Sequence, residues 1–500
     1  MTLIITLIIN NEIAAEELIM VATATQMQDE QQHIEHLAKV FAKQKTAYAK
    51  APYPTANERR EDLDKLAKAL VKFQDEIAEA INEDFSCRSK DETLLAEILV
   101  TLEGIKYNKK NLKKWMKPSK RHVGALFAPA HNQVQYQPKG VVGIITPWNY
   151  PIQLSVAPLA AALAAGNRAV IKMSEFTPAT NEVMIRMIAS VFNEDQVAVV
   201  LGEASVGAEF SSLHWDHLIF TGSTMVGRHV MSAAGKNLVP VTLELGGKSP
   251  CIITDNASVK GAAESIIFGK ATNAGQTCIA PDYILCPENM LADVKTQIAA
   301  AYKKSYPTLK TNNDYTAIIN ERQFNRLQGN LTDAQEKGAT VEPLNNANED
   351  FSGTRKIPLT LVTNTTDEMQ IMQDEIFGPL LPIVTYKSLD EALTFVNERP
   401  RPLALYLFSH NRNEQDHVMK VTHAGGVSIN DCLTHIAQDD MPFGGVGDSG
   451  IGHYHGSEGF LSLSHAKSVH RKGSINSGKF VYAPHGRFMH KLIYKFVIGK

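Results

Sequence analysis

Apolar positions in the first part of the chain recur with a helical period. Between residues 60 and 85 they come at steps of three and four with charged residues between them, at Leu63, Leu66, Leu70, Phe73, Ile77 and Ile81. This spacing places the apolar side chains on one face and predicts an amphipathic helix. A second helical stretch is predicted from about Glu92 to Asn111.

The pattern changes near residue 138, where short, continuously apolar runs begin to alternate with helical stretches. These runs cover residues 141–146, 169–172, 197–201, 217–221 and 241–245. Strands that alternate with helices predict a parallel, doubly wound sheet. Their continuously apolar character fits a sheet that is covered on both faces. A second α/β segment is predicted from about residue 246 to 450.

Length and charge narrow the class of protein. A chain of 500 residues is too long for one simple core, so we expect two or three domains. The formal net charge of -3 gives no reason to expect nucleic acid or an anionic membrane as a partner. The basic run at 109–121 is expected to be a solvated helix end, because nucleic-acid binding would need interleaved aromatic residues and a basic domain.

The cysteines indicate a reducing compartment. No CxxC pair occurs among the five, which are Cys87, Cys251, Cys278, Cys286 and Cys432. Their odd number argues against a disulfide framework and favours a cytoplasmic location. His453 and His455 could be read as metal ligands, but alternate residues in a loop are a weak signal, so we expect no metal.

Both ends of the chain are apolar but short. The first ten residues lack a basic n-region and a cleavage site, which makes them a poor signal peptide. Residues 1–27 are expected to be a disordered or loosely attached extension. The segment 488–500 is apolar and basic but also too short to span a bilayer, so we expect no stable membrane anchor.

Two polar features follow strands of the predicted sheet. Gly222, Ser223 and Gly227 lie where a strand leads into a helix, a place where backbone N–H groups can approach a phosphate. The turn is neither GxGxxG nor a P-loop, so a plain tight turn is the alternative. Lys172 and Glu175 follow an earlier strand and could bind ribose hydroxyls or form a surface ion pair.

Two further residues are candidates for covalent chemistry. Glu244 interrupts an apolar run at a strand end, and burial there would raise its pKa into the range of a general base. The alternative is a structural glutamate bonded to backbone N–H groups. Cys278 follows glycine and polar residues rather than lying in an apolar strand. A reactive thiolate needs partial exposure and positive potential, and an inert core cysteine is the alternative.

Seven short motifs, in order over roughly residues 50–480, together resemble the aldehyde dehydrogenase superfamily. They are Pro147-Trp148-Asn149-Tyr150-Pro151, Ile171-Lys172-Met173-Ser174-Glu175, Phe220-Thr221-Gly222-Ser223, Glu244-Leu245-Gly246-Gly247-Lys248, Gly275-Gln276-Thr277-Cys278, Glu375-Ile376-Phe377-Gly378-Pro379 and Pro442-Phe443-Gly444-Gly445. Within the superfamily the chain resembles the class 3 branch. Its similarity to bacterial coniferyl aldehyde dehydrogenases is carried by Gly445-Val446-Gly447-Asp448-Ser449-Gly450 and His453-Tyr454-His455-Gly456.

The resemblance implies a set of catalytic residues. Cys278 would attack the aldehyde carbon, Asn149 would stabilise the oxyanion, and Glu244 would activate the water that releases the acid. The implied reaction is oxidation of an aldehyde such as coniferyl aldehyde to its acid, here ferulate, and a medium-chain aliphatic aldehyde is the alternative substrate. Glu244 disfavours a CoA-acylating dehydrogenase or an acyl phosphate reductase. The complete set disfavours a catalytically silent binding protein.

The resemblance also implies NAD as the cofactor, with NADP as the alternative. Lys172 and Glu175 would hold the adenosine ribose, and the turn from Gly222 to Gly227 would line the pyrophosphate. Glu375 would bind the nicotinamide ribose, with Phe377 packed beside it. The carboxylate of Glu175 favours NAD because it pairs with a free 2′-hydroxyl and repels a 2′-phosphate. The class 3 branch nevertheless often accepts NADP.

The expected architecture combines two α/β domains with a small β element. A Rossmann-like parallel-sheet NAD domain is expected at 28–130 and 149–245, and an α/β catalytic domain at 246–450. An oligomerisation hairpin is expected at 131–148, together with a tail at 451–500. By analogy with the family, we expect a homodimer that acts on a small-molecule aldehyde.

Overall fold

The computed structural model describes residues 28–499, so the extension expected at 1–27 lies outside the described residues. The helices of this part are α1 (28–50), α2 (Ala56–Phe85), α3 (Lys90–Thr93), α4 (Val100–Trp115), α5 (Gln153–Ala165), α6 (Pro178–Ala189), α7 (Ala204–Ser212), α8 (Thr224–Lys236), α9 (Val259–Ala271), α10 (Leu291–Ser305), α11 (Glu321–Glu336), α12 (Gln370–Gln373), α13 (Leu389–Asn397), α14 (Arg412–Val421), α15 (Gly456–Ser462) and α16 (Phe488–Ile493).

The strands of the same part form three sheets. They are β1 (Ser119–Arg121), β2 (His131–Pro138), β3 (Val141–Ile145), β4 (Arg168–Lys172), β5 (Val197–Val200), β6 (His217–Thr221), β7 (Val241–Glu244), β8 (Pro250–Ile253), β9 (Tyr283–Pro287), β10 (Thr340–Pro343), β11 (Thr360–Thr363), β12 (Leu380–Tyr386), β13 (Ala404–Phe408), β14 (Gly426–Ile429), β15 (Gly450–Ile451) and β16 (Ser464–Arg471).

Both predicted N-terminal helices are confirmed. A capping box at Thr55 and Glu58 begins α2, and every apolar residue predicted for its inner face is buried. The second predicted helix runs from α3 into α4 through one π-helical stretch, Leu94–Leu99. Its Glu97 is fully buried, an exception to the amphipathic pattern that proves important at the site.

The first sheet has the strand order β15-β7-β6-β3-β4-β5. All its pairs are parallel except that of β15 with β7, so the predicted parallel sheet is confirmed. The boundary placed at residue 148 needs one correction: β3 lies at the centre of this sheet and not in the hairpin. Its side chains are buried on both faces, which only a covered central strand allows. The strand order changes direction between β3 and β6, and ligands bind at such switch points in open α/β sheets.

The second sheet has the strand order β10-β11-β12-β9-β8-β13-β14 and is parallel except at β10. Cys251 in β8 and Cys286 in β9 are buried in its core, as expected for inert cysteines. The loop that follows α9 carries Cys278 to the region between this sheet and the first one. The two sheets therefore supply different parts of the site.

The third sheet is antiparallel, with the order β1-β2-β16. The long β2–β16 pairing runs from Ser464 opposite Pro138 to Arg471 opposite His131. β1 pairs with β2 and so belongs to this sheet. Its residues lie inside the span that was expected to be part of the NAD domain. None of the helices between residues 28 and 499 is long and apolar enough to cross a membrane.

Gly143 in β3 tests how tightly the first sheet is packed. A Cβ there would lie 2.8 Å from both Phe210 Cε1 and Trp215 Cε2. We expect Gly143→Val to lower the free energy of unfolding by about 1–3 kcal/mol, because the added methyl groups overfill the site. The matched control is Gly235→Ala in α8, where a Cβ meets nothing within 4 Å and up to about 1 kcal/mol should be gained. Equal urea midpoints for Gly143→Val and the wild type would contradict the prediction.

Candidate active site

The carboxyl ends of four parallel strands bring the predicted polar residues together. Ile145 of β3 is paired with Lys172 of β4, and Thr221 of β6 is paired with Glu244 of β7. Lys172 is buried, and its Nζ donates to Oε2 of Glu175 at 3.1 Å. Glu175 remains a quarter exposed, so this pair has one side open to a ligand.

The glycine turn leads directly from β6 into α8. The N–H of Gly222 donates to the carbonyl oxygen of Glu244 at 3.1 Å. Ser223 is the N-cap of α8, and its Oγ accepts from the N–H of Val226. A Cβ on Gly227 would lie 2.6 Å from Leu245 Cδ2, so the glycine lets α8 pack closely on the chain after β7. The N-terminal end of α8 thereby faces the switch point of the first sheet and favours an anion there.

Glu244 is a buried carboxyl group without a structural partner. It is 2% exposed, and neither of its oxygens accepts a hydrogen bond from the residues between 28 and 499. This excludes the alternative of a structural glutamate bonded to backbone N–H groups. Burial raises the pKa of Glu244 well above its usual range.

Cys278 follows an unusual turn after α9. Asn273, Ala274 and Gly275 all have positive φ, and a Cβ on Gly275 would lie 2.5 Å from the carbonyl oxygen of Gly378. Gln276 fixes the turn, because its Oε1 accepts from Ile319 N at 3.0 Å. The turn presents the partly exposed Cys278 in the wall of a cavity of about 450 Å³.

The electrostatic environment of Cys278 differs from the expected one. Burial raises the pKa of its thiol, and the nearby carboxyl groups of Glu375 and Glu244 raise it further. The predicted partial exposure is present, but the described side chains do not supply the expected positive potential. Without a ligand, this surrounding favours the thiol over the thiolate.

Asn149 lies beside the cysteine turn. Its Nδ2 donates to the carbonyl oxygen of Gln276 at 3.1 Å, two residues before Cys278. Its own carbonyl oxygen accepts from Asn273 Nδ2 and from Arg88 Nη1, each at 3.0 Å. The side-chain amide is thus held against the turn that carries the thiol.

Arg88 and Glu97 are the residues that sequence reasoning missed. Their side chains are fully buried and form an ion pair at 3.0 Å. Oε2 of Glu97 accepts from the N–H groups of Ile152 and Gln153 at 2.7 and 3.1 Å. The guanidinium of Arg88 stacks over Tyr150 at 4.7 Å. The pair thereby holds Asn149 and the residues that follow it in the loop. Arg88 and Glu97 were not predicted, because charged residues in a mostly polar segment do not stand out in the sequence.

Glu375 and Phe377 also reach the site. A Cβ on Gly246 would lie 2.1 Å from Oε2 of Glu375, so only glycine allows this carboxyl group to pack over the turn after β7. Burial raises the pKa of Glu375 to about 8, with Asp282 as the next cause. Phe377 packs edge to face on Trp148, with ring centroids 5.2 Å apart.

A largely enclosed lysine connects the turn after β7 to the loop that carries Glu375. Lys248 Nζ donates to the carbonyl oxygens of Ile371 and Asp374 at 2.7 and 3.0 Å and forms an ion pair with Asp282. Oδ1 of Asp282 accepts from Ile376 N at 2.9 Å. The positions of Glu244, Cys278 and Glu375 are therefore mechanically linked.

His455, one of the two histidines considered as metal ligands, lies in an aromatic environment. His455 stacks on Phe443 at 5.4 Å, and burial lowers its pKa to about 4. In the described part of the chain, no group of three or more His, Cys, Asp or Glu side chains is placed to hold a metal ion.

The first sheet has a switch point of the kind that binds nucleotides, and a thiol and a buried carboxyl group lie beside it. This combination is typical of an NAD(P)-dependent oxidoreductase. The chain belongs to the aldehyde dehydrogenase family, whose model matches residues 15–469. It is therefore an enzyme that oxidises an aldehyde to a carboxylic acid with NAD(P). The family resemblance stated above is confirmed.

Individual relatives refine this assignment. The chain is 54% identical to the probable coniferyl aldehyde dehydrogenase of Pseudomonas aeruginosa over 479 residues, which are 96% of this chain and 100% of that protein. It is 38% identical to aldehyde dehydrogenase family 3 member A2 of Pongo abelii over 437 residues, 86% and 87% of the two chains. The substrate-bound state of Staphylococcus aureus AldH matches with a TM-score of 0.86 at 40% identity, covering 92% and 99%. The expected similarity to class 3 and coniferyl-type enzymes is confirmed.

Glu97 provides a test of the buried ion pair. We expect Glu97→Gln to lower the free energy of unfolding by about 3–5 kcal/mol, because Arg88 would lose its closest charged partner in a buried site. The matched control is Glu103→Gln, which breaks an exposed pair with Lys106 and should cost less than about 1 kcal/mol. Urea unfolding measures both. Similar losses for the two variants would show that burial of the pair does not matter.

Proposed function

We propose that Cys278, Glu244 and Asn149 carry out the oxidation. The observation that carries this proposal is the pairing of a thiol in a cavity wall with a buried, unpartnered carboxyl group. A nucleophile whose adduct must be hydrolysed needs such a base beside it. Structural glutamates are normally hydrogen-bonded when buried, so the free oxygens of Glu244 favour a chemical role.

In the first step, the sulfur of Cys278 forms a bond to the aldehyde carbon and the carbonyl oxygen becomes an oxyanion. The Nδ2 of Asn149 and the backbone N–H of Cys278 are the proposed donors to this oxyanion. One such donor typically contributes about 3–4 kcal/mol to the stability of the transition state. The carboxyl groups of Glu375 and Glu244 disfavour the thiolate of Cys278, and a positively charged oxidised cofactor bound beside them would favour it.

The residues around the first sheet fit NAD(P). Lys172 and Glu175 would hold the adenosine ribose, and Gly222, Ser223 and Gly227 would contact the pyrophosphate at the start of α8. Glu375, whose Oε1 has no hydrogen-bond partner within residues 28–499, would bind a nicotinamide ribose hydroxyl, with Phe377 beside it. NAD(P) held by these residues would supply the oxidant, since it would take up the hydride that leaves the carbon attached to Cys278 as a thioester forms.

Glu244 completes the cycle. Its carboxylate takes a proton from water, the hydroxide oxygen bonds to the thioester carbon, and the carbon–sulfur bond breaks. The products are the carboxylic acid and free Cys278. Burial raises the pKa of Glu244, so its carboxylate, the active form of the base, still increases with pH at pH values well above those at which an ordinary glutamate is fully ionised.

The substrate proposal is an aryl propenal such as coniferyl aldehyde, giving ferulate. It is supported by the printed name of the 54% identical relative and by a largely apolar cavity of about 450 Å³. A medium-chain aliphatic aldehyde is the second candidate, which the apolar wall also accommodates.

Three further proposals concern cofactor preference, assembly and location. NAD is favoured over NADP because Glu175 presents a carboxylate next to Lys172. A homodimer is proposed through the β1-β2-β16 sheet and the residues after 451, by analogy with the family. A cytoplasmic location is proposed because all five cysteines are free thiols. We also propose an NAD domain at 28–130 and 149–245 and a catalytic domain at 246–450. The exceptions are β1, which belongs to the third sheet, and β3, which belongs to the first.

Glu244→Gln tests the proposed base. We expect the first turnover to release NADH in a burst, while the steady-state rate falls by about 100-fold or more because the thioester accumulates. The wild-type rate should rise with pH through the raised pKa of Glu244, and the variant should lose this dependence. Stopped-flow absorbance at several pH values measures both effects.

Cys278→Ala is the control for that experiment, because it should give neither a burst nor a steady-state rate. Substantial aldehyde oxidation by Cys278→Ala would contradict the covalent mechanism. An unchanged steady-state rate in Glu244→Gln would contradict the role of Glu244 alone.

Glu175→Gln tests the cofactor proposal. Removal of the negative charge should raise kcat/KM for NADP relative to NAD by about tenfold, because a 2′-phosphate is no longer repelled. Glu182→Gln, at an exposed position of α6, is the matched control and should leave the ratio unchanged. If both variants keep the wild-type ratio, Glu175 does not select the cofactor.

A further inference from the structure

One polar group stands out in the cavity that holds Cys278. Most of the wall is apolar, with contributions from Leu95, Val100, Leu154, Phe268, Leu433 and Ile436. Such a wall accepts the hydrocarbon part of an aldehyde but does not distinguish one apolar substrate from another. The carboxyl group of Glu92 on α3 lines the same cavity. A carboxyl group in this position is costly unless it is hydrogen-bonded, so its partners need to be identified.

Several other polar side chains in the wall already have partners on the chain. Ser89 Oγ donates to Asp314 Oδ1 at 3.2 Å, and Thr277 Oγ1 shares a hydrogen bond of 2.9 Å with Tyr150. Thr272 Oγ1 donates to a carbonyl oxygen of α9 at 2.7 Å. These groups shape the cavity, but their hydrogen-bonding capacity toward a ligand is largely used.

Glu92 is only partly satisfied. Oε2 receives a long hydrogen bond of 3.5 Å from Thr316 Oγ1. Oε1 lies 3.5 Å from Arg88 Nε and has no hydrogen-bond partner in residues 28–499. Oε1 itself is enclosed beside Arg88. The side chain as a whole is 13% exposed and lines the cavity, so a molecule there can approach the carboxyl group from its open side.

Arg88 is shared between Glu92 and a second carboxyl group. It is closer to Glu97, at 3.0 Å, and also donates to the carbonyl oxygen of Asn149. One guanidinium thus faces two carboxyl groups and holds the Oε1 side of Glu92 in place. Burial raises the pKa of Glu92, with the attraction of Arg88 acting in the opposite direction. Oε2 of Glu92, with its single long hydrogen bond, is therefore the acceptor that we expect a ligand in the cavity to use.

We propose that Glu92 accepts a hydrogen bond from a hydroxyl group on the aldehyde substrate and selects hydroxylated aryl aldehydes over their unsubstituted or O-methylated analogues. This inference rests on the proposed function of the Cys278 cavity and specifies the substrate class. A site that hydrogen-bonds a substrate hydroxyl rejects the analogue that lacks it, because the buried polar group is then left unpaired.

The test compares three substrates that differ in one substituent: 4-hydroxycinnamaldehyde, cinnamaldehyde and 4-methoxycinnamaldehyde. We expect the wild-type enzyme with NAD to favour the hydroxyl compound over both others by about tenfold or more in kcat/KM. Glu92→Leu should reduce this preference to within about twofold, and Glu92→Gln, which keeps an acceptor oxygen, should restore part of it. A role confined to holding Arg88 would lower all three rates together.

Val100→Ala is the matched control, since it changes an apolar part of the same wall and should affect the three aldehydes alike. If Glu92→Leu does not fold, the comparison of the three aldehydes with the wild-type enzyme still tests the proposal. A wild-type enzyme without preference, or a folded Glu92→Leu that keeps the preference, would overturn the assignment to Glu92. In either case, oxidation of cinnamaldehyde would leave the proposed function intact. Failure to oxidise any aldehyde would overturn the proposed function itself.

Discussion

A single buried guanidinium connects the parts of this site. Arg88 pairs with Glu97, donates to the carbonyl oxygen of Asn149 and faces Glu92 in the substrate cavity. The same carbonyl oxygen accepts from Asn273, in the turn that presents the thiol. Because a buried charge cannot lose its partner without a large energetic cost, these groups behave as one rigid unit. The proposed oxyanion donor Asn149, the turn that carries Cys278 and the cavity wall at Glu92 therefore contact the same guanidinium or the groups bound to it.

A second constraint is the concentration of weak acids around the nucleophile. Burial raises the pKa values of Cys278, Glu244 and Glu375, and the two carboxyl groups raise that of Cys278 further. Three adjacent groups of this kind cannot all be ionised at low cost. The protein alone therefore favours the neutral thiol of the partly exposed Cys278.

The sequence was sufficient where function follows local structure. Lys172 and Glu244 stand at strand ends, and Cys278 follows a glycine turn, so short motifs identified all three. The Arg88–Glu97 pair was not predicted, because its role depends on a contact with Asn149, which is 61 residues from Arg88 in the sequence. The boundary at 148 misplaced β3, since the hairpin strand β2 and the central strand β3 are both extended and follow each other closely in the sequence. Negative potential around Cys278 was also missed, because Glu375 reaches it only through tertiary packing.

The short pairing of β15 with β7 has a consequence for biosynthesis. Gly450 lies opposite Glu244, so the edge of the first sheet beside the proposed base is completed by a segment roughly 200 residues later in the chain. While the ribosome is still translating the intervening part, this strand edge has no neighbour and can pair with another nascent chain. The sheet edge beside Glu244 can therefore be completed only after residue 450 has left the ribosome.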